Sequence, residues 1–553
     1  MSSPSTIKRI SPGAILQVLI GLLLASLAAA LLAWQKGAFE WSHPGAQRVL
    51  GAVVVIALYV FACLAQVLRR GRMQRAGEFD IPRIESVMDQ STAPVLVIYA
   101  SQTGFAEELA KQTAHVLASA GLSVDVRSID QLDAESLTEA TKALFIASTT
   151  GEGDAPDSAV RFLRNRQMQE IRLSGLNYAV LALGDSEYVN FCAFGRHLDK
   201  WLSDRGARAL CEAIEVDNGE ETALRRWQQQ LRAMSGNAEI GTLKSADFSS
   251  WRLVERRLLN AGSAGEACLH IALEADDARA LHWRAGDIAE IVPQNAASAV
   301  AQAISAAGFP ATAIVDVGDG PEPIADVLAR SHLPAESTIR YSDAQAFASV
   351  LKRLPHREYS IASLPSDGAI HLVVRLMRGE DGLIGIGSGW LGIHAPIGTK
   401  IALRLRNNAN FHAPDDDRPL ILIGNGTGIA GLRSLLKQRI ASGHYRNWLV
   451  FGERHRKHDF LYGKELTAWH EAGQIEHLDL AFSRDQAYRV YVQDLLRKSA
   501  KQLRSWVEAG ASIYVCGSQQ GMAPGVDRVL REELGSEQVD QLIDESRYRR
   551  DVY

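Results

Sequence analysis

Glu358, Tyr359 and Ser360 open a short run, 358–362, that reads as a β-strand with Arg357 directly before it. It sets a guanidinium, an aromatic ring and a hydroxyl close together. A guanidinium fork matches a diphosphate, a phenol ring stacks on a planar heterocycle, and a hydroxyl can hydrogen-bond one of its polar atoms. Alone, the four residues suit an ordinary barrel strand with a surface Arg equally well, so their company decides the matter. Downstream, Gly385-Ile386-Gly387-Ser388-Gly389-Trp390-Leu391 is either a flexible turn or a loop entering a helix that receives diphosphate oxygens. A second glycine turn, Gly424-Asn425-Gly426-Thr427-Gly428-Ile429-Ala430, follows the apolar strand 419–423 and leads into a helix from Gly431. Its glycines let backbone approach a pyrophosphate at a helix N-terminus. Further on, Ser483-Arg484-Asp485-Gln486 and Arg489-Val490-Tyr491-Val492-Gln493 supply two guanidinium groups, two hydroxyls and two amides. That set suits one additional phosphate, or else a solvated surface strand.

Three more loops carry hydroxyls and glycine after apolar strands. The strand 95–99 runs into Ser101-Gln102-Thr103-Gly104 and a helical pattern at 108–118; 143–147 runs into Ser148-Thr149-Thr150-Gly151-Glu152-Gly153-Asp154; 178–183 runs into Gly184-Asp185-Ser186-Glu187-Tyr188. A hydroxyl-rich turn at a helix N-terminus aims backbone N–H groups at a phosphate. The first loop lacks the Lys of a nucleotide P-loop, which favours a monophosphate. Ligands of open parallel sheets bind beyond the carboxyl ends of strands, so the three loops are expected to meet over one ligand.

The elements that must position these groups divide a chain of 553 residues, too long for one core, into roughly three or four units of about 150 residues each. A hydrophobic content of 47% and a net charge of -5 describe a globular protein with no basic excess, and nucleic acid is not an expected partner. Cys63, Cys192, Cys211, Cys268 and Cys516 are scattered without a CxxC pair, which points to a reducing compartment and to no structural metal. Residues 15–34 and 49–68 are uncharged apolar runs of bilayer-spanning length. Lys8 and Arg9 precede the first, Arg69, Arg70, Arg72 and Arg75 follow the second, and only Lys36 and Arg48 lie between. The positive-inside bias then predicts a two-helix hairpin in a bacterial inner membrane with everything after it cytoplasmic.

In order and spacing the three loops at 101–104, 148–154 and 184–188 resemble those of the flavodoxin-like FMN domain of the diflavin reductases. Arg357, Tyr359 and Ser360, with Gly385, Gly387 and Ser388, resemble the FAD site of the ferredoxin-reductase superfamily. The order of elements from the Gly424 turn through Ile513-Tyr514-Val515-Cys516-Gly517 to Arg547-Tyr548-Arg549-Arg550-Asp551-Val552-Tyr553 is similar to the NADPH domain of the same diflavin family. The resemblance covers about 95–553. It implies an α/β multidomain chain: a membrane anchor of two helices at 1–68, a linker at 69–93, a flavodoxin-like FMN domain at 94–235, an FAD-binding β-barrel with a reduced helical insertion at 246–412, and a Rossmann-like NADPH domain at 413–553.

By that resemblance Ser101, Gln102, Thr103 and Gly104 hold the FMN phosphate, and Tyr188 stacks on the flavin. Asp217 lies near it, and Thr149, Thr150, Gly151 and Gly184 complete the site. Arg357, Tyr359, Ser360, Gly385, Gly387, Ser388 and Tyr553 bind FAD, with Tyr553 over the face that nicotinamide must reach. Gly426, Thr427, Gly428, Ser483, Arg484, Arg489, Tyr491 and Gln493 bind NADPH, while Ser360, Cys516 and Asp551 surround the nicotinamide as the catalytic set. Departures from the family are specific. Thr150 stands where membrane-bound haemoprotein reductases carry a second stacking aromatic. The segment between Gly286 and Arg357 is short for a full connecting domain, Arg489 replaces Lys, Gly431 replaces Pro, and Ser518 replaces Asp. The implied activity is that of an NADPH-haemoprotein reductase, passing hydride to FAD and single electrons through FMN to a haemoprotein or other one-electron acceptor. A sulfite reductase flavoprotein component and a ferric chelate reductase are the alternatives, and a flavin-binding redox sensor without turnover is the reading from another class.

Overall fold

The computed structural model describes residues 93–553 apart from 187, 238–240, 244–247, 319, 335–340 and 380–381. The runs at 15–34 and 49–68 lie outside the described residues. Among the described residues no helix is long and apolar enough to cross a membrane. A span needs about 20 apolar residues, whereas the longest described helices, Phe105–Ser119 and Glu221–Ser235, have 15 residues each and bury only one face. On that finding the expected placement in a bacterial inner membrane, with two spans, is corrected and set aside.

The first sheet is wholly parallel, in the order β2-β1-β3-β4-β5 with β6 also pairing β4. Its strands are β1 (Val95–Ala100), β2 (Val124–Ser128), β3 (Lys142–Ser148), β4 (Asn177–Gly184), β5 (Arg208–Ala209) and β6 (Ile214–Asp217). β1, β3 and β4 are near-continuous apolar runs because helices cover both faces of the sheet. Strand order reverses between β1 and β3, and the loops after those strands therefore flank a crevice at the carboxyl edge. The helix Phe105–Ser119 starts directly after Gly104, whose φ of 88° ends the turn. Glu107 and Glu108 sit in its first turn, where the helix dipole favours negative charge. Its buried residues Ala106, Leu109, Ala110, Thr113, Val116 and Leu117 recur at helical spacing.

The second sheet is antiparallel, β12-β9-β14-β7-β8-β13. It contains β7 (Ser249–Leu258), β8 (Cys268–Ala275), β9 (Ile288–Ile291), β12 (Arg357–Ser360), β13 (Ile370–Arg375) and β14 (Lys400–Arg406). Its two edges are drawn together where Ala362 N–H, just past β12, donates to the carbonyl of His371 in β13 at 2.8 Å. Between β9 and β12 lies a small subdomain: the helix Ala297–Ala307, the hairpin β10 (Ile314–Asp316) and β11 (Pro321–Pro323), and two short helices, Ile324–Ala329 and Ala344–Ala348. Val300, Val315, Ile324, Leu328 and Phe347 give it a core of its own.

The third sheet is parallel again, β17-β16-β15-β18-β19, from β15 (Leu420–Asn425), β16 (Asn447–Glu453), β17 (His477–Phe482), β18 (Ser512–Gly517) and β19 (Tyr548–Val552). Register, more than sequence proximity, gathers the chemistry here. Cys516 pairs with Gly424 on one side and Asp551 on the other, and Gly452 pairs with Asn425. The helix Ile429–Ala441 follows a single 3-10 turn at Gly426–Gly428.

Candidate active site

A cavity of about 1010 Å³ lies where the second and third sheets face each other. Its walls bring together residues far apart in sequence: Tyr359 and Ser360, Thr427, Ser483 with Arg484, Arg489 through Gln493, and Asp551 with Tyr553. Thr103 of the first loop reaches its rim.

At one end, Ser360 Oγ donates to Asp551 Oδ2 at 2.7 Å and Cys516 Sγ donates to the same oxygen at 3.7 Å. Asp551 is 5% exposed and Cys516 fully buried. Burial pushes the Cys516 thiol well above the ordinary thiol range, with the neighbouring carboxylate adding to the effect, so the thiol keeps its proton and acts as a donor. Burial also raises Asp551, against the hydrogen bond from Ser360. Tyr553 Oη donates to Thr427 Oγ1 at 3.2 Å, laying the terminal ring across the mouth of this end. Gly428 makes the approach possible, and Gly431 lies beside it at ordinary contact distance. A Cβ at Gly428 would stand 2.1 Å from Cys516 O, and one at Gly431 would stand 3.4 Å from Cys516 Sγ and 3.6 Å from Ser360 Cβ.

In the barrel wall, the helix Ile386–Gly389 crosses β12 at Gly387, where a Cβ would come 2.6 Å from Arg357 Cγ and 2.9 Å from Tyr359 Oη. That is the close backbone approach a diphosphate cradle requires, and the residues fit an FAD. The Ser388 hydroxyl accepts from Met377 N–H at 3.1 Å and donates to Gly385 O at 3.2 Å, fixing the loop to the end of β13.

At the far end, Ser483, Arg484, Arg489, Tyr491 and Gln493 line the cavity, joined by Arg454. Among the described residues neither Arg484 nor Arg489 makes an ion pair, and both are exposed. Residues 489–491 are irregular, and the helix Val492–Lys498 begins directly after them, which disposes of the surface strand. Uncompensated guanidinium groups at a loop and a helix start suit a phosphate.

The first sheet presents its three loops at one edge, and their internal bonds sort the candidate residues. Ser101 Oγ accepts from Gly104 N–H at 3.0 Å and closes the first turn. Asp217 braces the third loop by accepting from Ser186 N–H at 2.9 Å and from its hydroxyl at 2.5 Å. Tyr188 is 41% exposed, a ring face held at the edge of the crevice, and the loops fit a flavin mononucleotide. Thr149 Oγ1 accepts from Phe194 N–H at 3.2 Å, and Thr150 pairs with Asp154 across the second loop. Both threonines thus shape the loop. Gln102 is likewise committed: its amide accepts from Asp157 N–H and donates to Arg550 O, each at 2.8 Å.

These contacts dock the first sheet on the other two. Asn410 Nδ2 donates to Ser101 O at 3.1 Å, and a Cβ at Gly104 would stand 2.3 Å from Asn407 O. Arg550 pairs with Asp157, Nε to Oδ2 at 3.0 Å, and Arg404 reaches Glu108 at 3.1 Å. Gly151 abuts the Gln519 side chain, and Gln520 reaches Glu152 at 3.3 Å. An Asp157→Asn substitution removes a partly exposed charge pair worth up to about 1 kcal/mol, a population shift of up to about fivefold. The expected result is a larger radius of gyration in small-angle scattering at low salt and a weaker response to added salt; identical scattering curves would discard the latch.

Sequence reasoning missed Arg375, Glu453 and Arg454, all of which line the cavity. The signal was present. Each ends an apolar strand at its carboxyl edge or follows it directly.

The comparisons with known proteins agree with this geometry. The flavodoxin family matches residues 97–227, and the oxidoreductase NAD-binding domain matches residues 422–528. The sulfite reductase [NADPH] flavoprotein alpha-component of Neisseria meningitidis serogroup C is 30% identical, over 83% of this chain and 89% of that protein. The proteins of that name from Shewanella sp. (strain ANA-3) and Vibrio cholerae are each 29% identical, covering 86% and 87% of this chain and 92% and 91% of theirs. A chain that places a flavodoxin-type loop set beside a nicotinamide-type cavity, and that aligns with these proteins along nearly their whole length, belongs to the diflavin reductase family.

Proposed function

We propose that this protein oxidises NADPH at the cavity between the second and third sheets and delivers single electrons from the first-sheet domain to a haemoprotein, as the partner of a sulfite reductase haem component. The observation that carries the reading is the Ser360–Asp551–Cys516 cluster opening into the same cavity as Arg484 and Arg489. The protein carries FAD and FMN; when bound, they accept a hydride and hand on single electrons, chemistry that side chains alone do not supply.

The chain's own residues do the rest. Arg484, Arg489, Ser483, Tyr491 and Gln493 hold the 2'-phosphate end of NADPH, and the Gly426–Gly428 turn receives its diphosphate. Arg357 and the Gly385–Gly387 backbone hold the FAD diphosphate. Tyr359 and Ser360 set the flavin ring, and Ser101, Thr103 and Gly104 receive the FMN phosphate. Asp551, kept in place by Ser360 and Cys516, faces the positive charge that develops on the nicotinamide as hydride leaves. Tyr553 covers the same spot and has to swing out, a displacement driven by binding energy from the phosphate end.

NADH lacks that phosphate, so removal of the ring helps NADH more than NADPH. Tyr553→Ala is expected to reduce the NADPH-over-NADH preference in kcat/KM by roughly tenfold, about 1.4 kcal/mol. Steady-state kinetics with both nucleotides check this, and an unchanged ratio would remove Tyr553 from the site.

The physiological acceptor is tested by deleting the gene and growing the strain on sulfate as sole sulfur source. A requirement for cysteine supports the sulfite reductase partner. Normal growth, with no second reductase present, overturns it and turns attention to ferric chelates.

A further inference from the structure

Arg375 has no role in the reading above, yet it stands in the middle of the cavity. β13 alternates, so Val373 and Arg375, followed by Met377 just past the strand's end, line the cavity from one face. Met377 is tied through its N–H to Ser388, at the FAD-type loop. Arg375 points the other way along the cavity: its Nη2 lies 3.8 Å from the position a Cβ would take at Gly426, the first glycine of the 3-10 turn that opens the third-sheet helix. One guanidinium is therefore stationed between the two glycine cradles.

Its partner is equally placed. Glu453 is the last residue of β16, at the carboxyl edge of the parallel sheet; its side chain is 5% exposed against 19% for Arg375. The two form an ion pair, and Glu453 Oε1 also stands 3.8 Å from the Gly426 Cβ position. The other Glu453 oxygen accepts from Arg454 N–H at 3.0 Å, which fixes the carboxylate. Arg375 Nη1 has only a long bond, 3.5 Å, to Glu266 O. A guanidinium carries five donors in a fork suited to phosphate oxygens. A carboxylate facing a phosphate turn would repel the ligand unless neutralised, and Arg375 neutralises it.

We infer that Arg375 is a diphosphate-binding residue that reaches the NADPH diphosphate from the barrel side, with Glu453 as the internal counter-ion that aims it. The inference rests on the assignment of this cavity to NADPH. It makes the barrel, as well as the third sheet, part of the nucleotide site, so that nucleotide binding ties the two together. An interdomain ion pair of purely structural use would touch every ligand of the cavity alike; a diphosphate contact distinguishes them.

The test measures dissociation constants by titration calorimetry on the holoprotein, with NADP+ and with adenosine 2'-monophosphate, which carries the 2'-phosphate but no diphosphate. Arg375→Gln is expected to weaken NADP+ by at least about tenfold, about 1.4 kcal/mol, and adenosine 2'-monophosphate by less than about twofold. Glu453→Gln added to Arg375→Gln is expected to recover part of the loss, because the stranded carboxylate is gone. Arg375→Lys, which keeps the charge and loses the fork, is expected to fall between wild type and Arg375→Gln, and serves if the Gln variant does not fold. An effect on NADP+ within twofold, or an equal loss for both probes, would overturn the inference. Wild-type protein that binds neither probe would instead overturn the assignment of the cavity to NADPH.

Discussion

Asp551→Ala is expected to slow NADPH oxidation by roughly 100-fold to 1000-fold, the scale seen when one preorganised electrostatic contact is removed from a water-excluded site, with FAD and FMN content unchanged. The reason is its arrangement. The carboxylate is 5% exposed and accepts from both Ser360 and Cys516, so its charge is held without solvent rearrangement where the nicotinamide enters. Asp551→Asn keeps the shape but not the charge, and most of the loss is expected there too. Single-turnover absorbance changes after mixing with NADPH give the rate, and extracted flavin gives the cofactor content. A hydride step within about threefold of wild type would show that the carboxylate is only structural.

The same group sets a pH dependence. Burial is the largest influence on Asp551 and raises its pKa above the ordinary carboxylate value, while the Ser360 and Cys516 hydrogen bonds pull the other way. A raised pKa means that protonation begins at a higher pH than for a solvated Asp. As pH falls through it, the negative charge is lost and the rate falls. The acid limb of the rate profile is therefore expected to inflect above about 3.9, and Asp551→Asn to flatten that limb.

Tyr188→Ala is expected to strip FMN from the protein during gel filtration while FAD stays bound. Tyr188 follows β4 in a turn closed by its own N–H to Asp185 O at 3.2 Å and braced by Asp217 through Ser186. Its exposed ring is the aromatic face offered at that crevice. The second loop carries Thr150, paired with Asp154 across the loop, and not an aromatic ring. Removal of the ring is expected to raise the FMN dissociation constant by about 10-fold to 100-fold, about 1.4 to 2.7 kcal/mol. An FMN:FAD ratio in the variant equal to that of wild type would exclude the stacking role.

The glycine and hydroxyl loops were legible because parallel sheets place ligand loops directly after apolar strands, a pattern contained in a dozen residues. The loop after β1 and the turn after β15 are both of this kind. Long-range register was not legible. Nothing local to Arg375 or Glu453 says that they meet, since 78 residues separate them, and Arg550 and Asp157 are 393 apart. Nor did residue type reveal which polar groups are already spent. Gln102, Thr149, Thr150 and Ser388 also hold their own loops or a neighbouring sheet, which residue type alone does not show. The short connecting segment left docking of the first domain open in the sequence; the Asn407–Asn410 stretch and β19 supply it.

The most direct measurement mixes the holoprotein anaerobically with NADPH and a sulfite reductase haem component, and follows the haem Soret band. Wild type is expected to reduce the haem. The FMN-depleted Tyr188→Ala protein is expected to leave the haem oxidised while still consuming NADPH with an added two-electron acceptor. Haem that stays oxidised with wild type, or that is reduced equally fast without FMN, would contradict the proposed function.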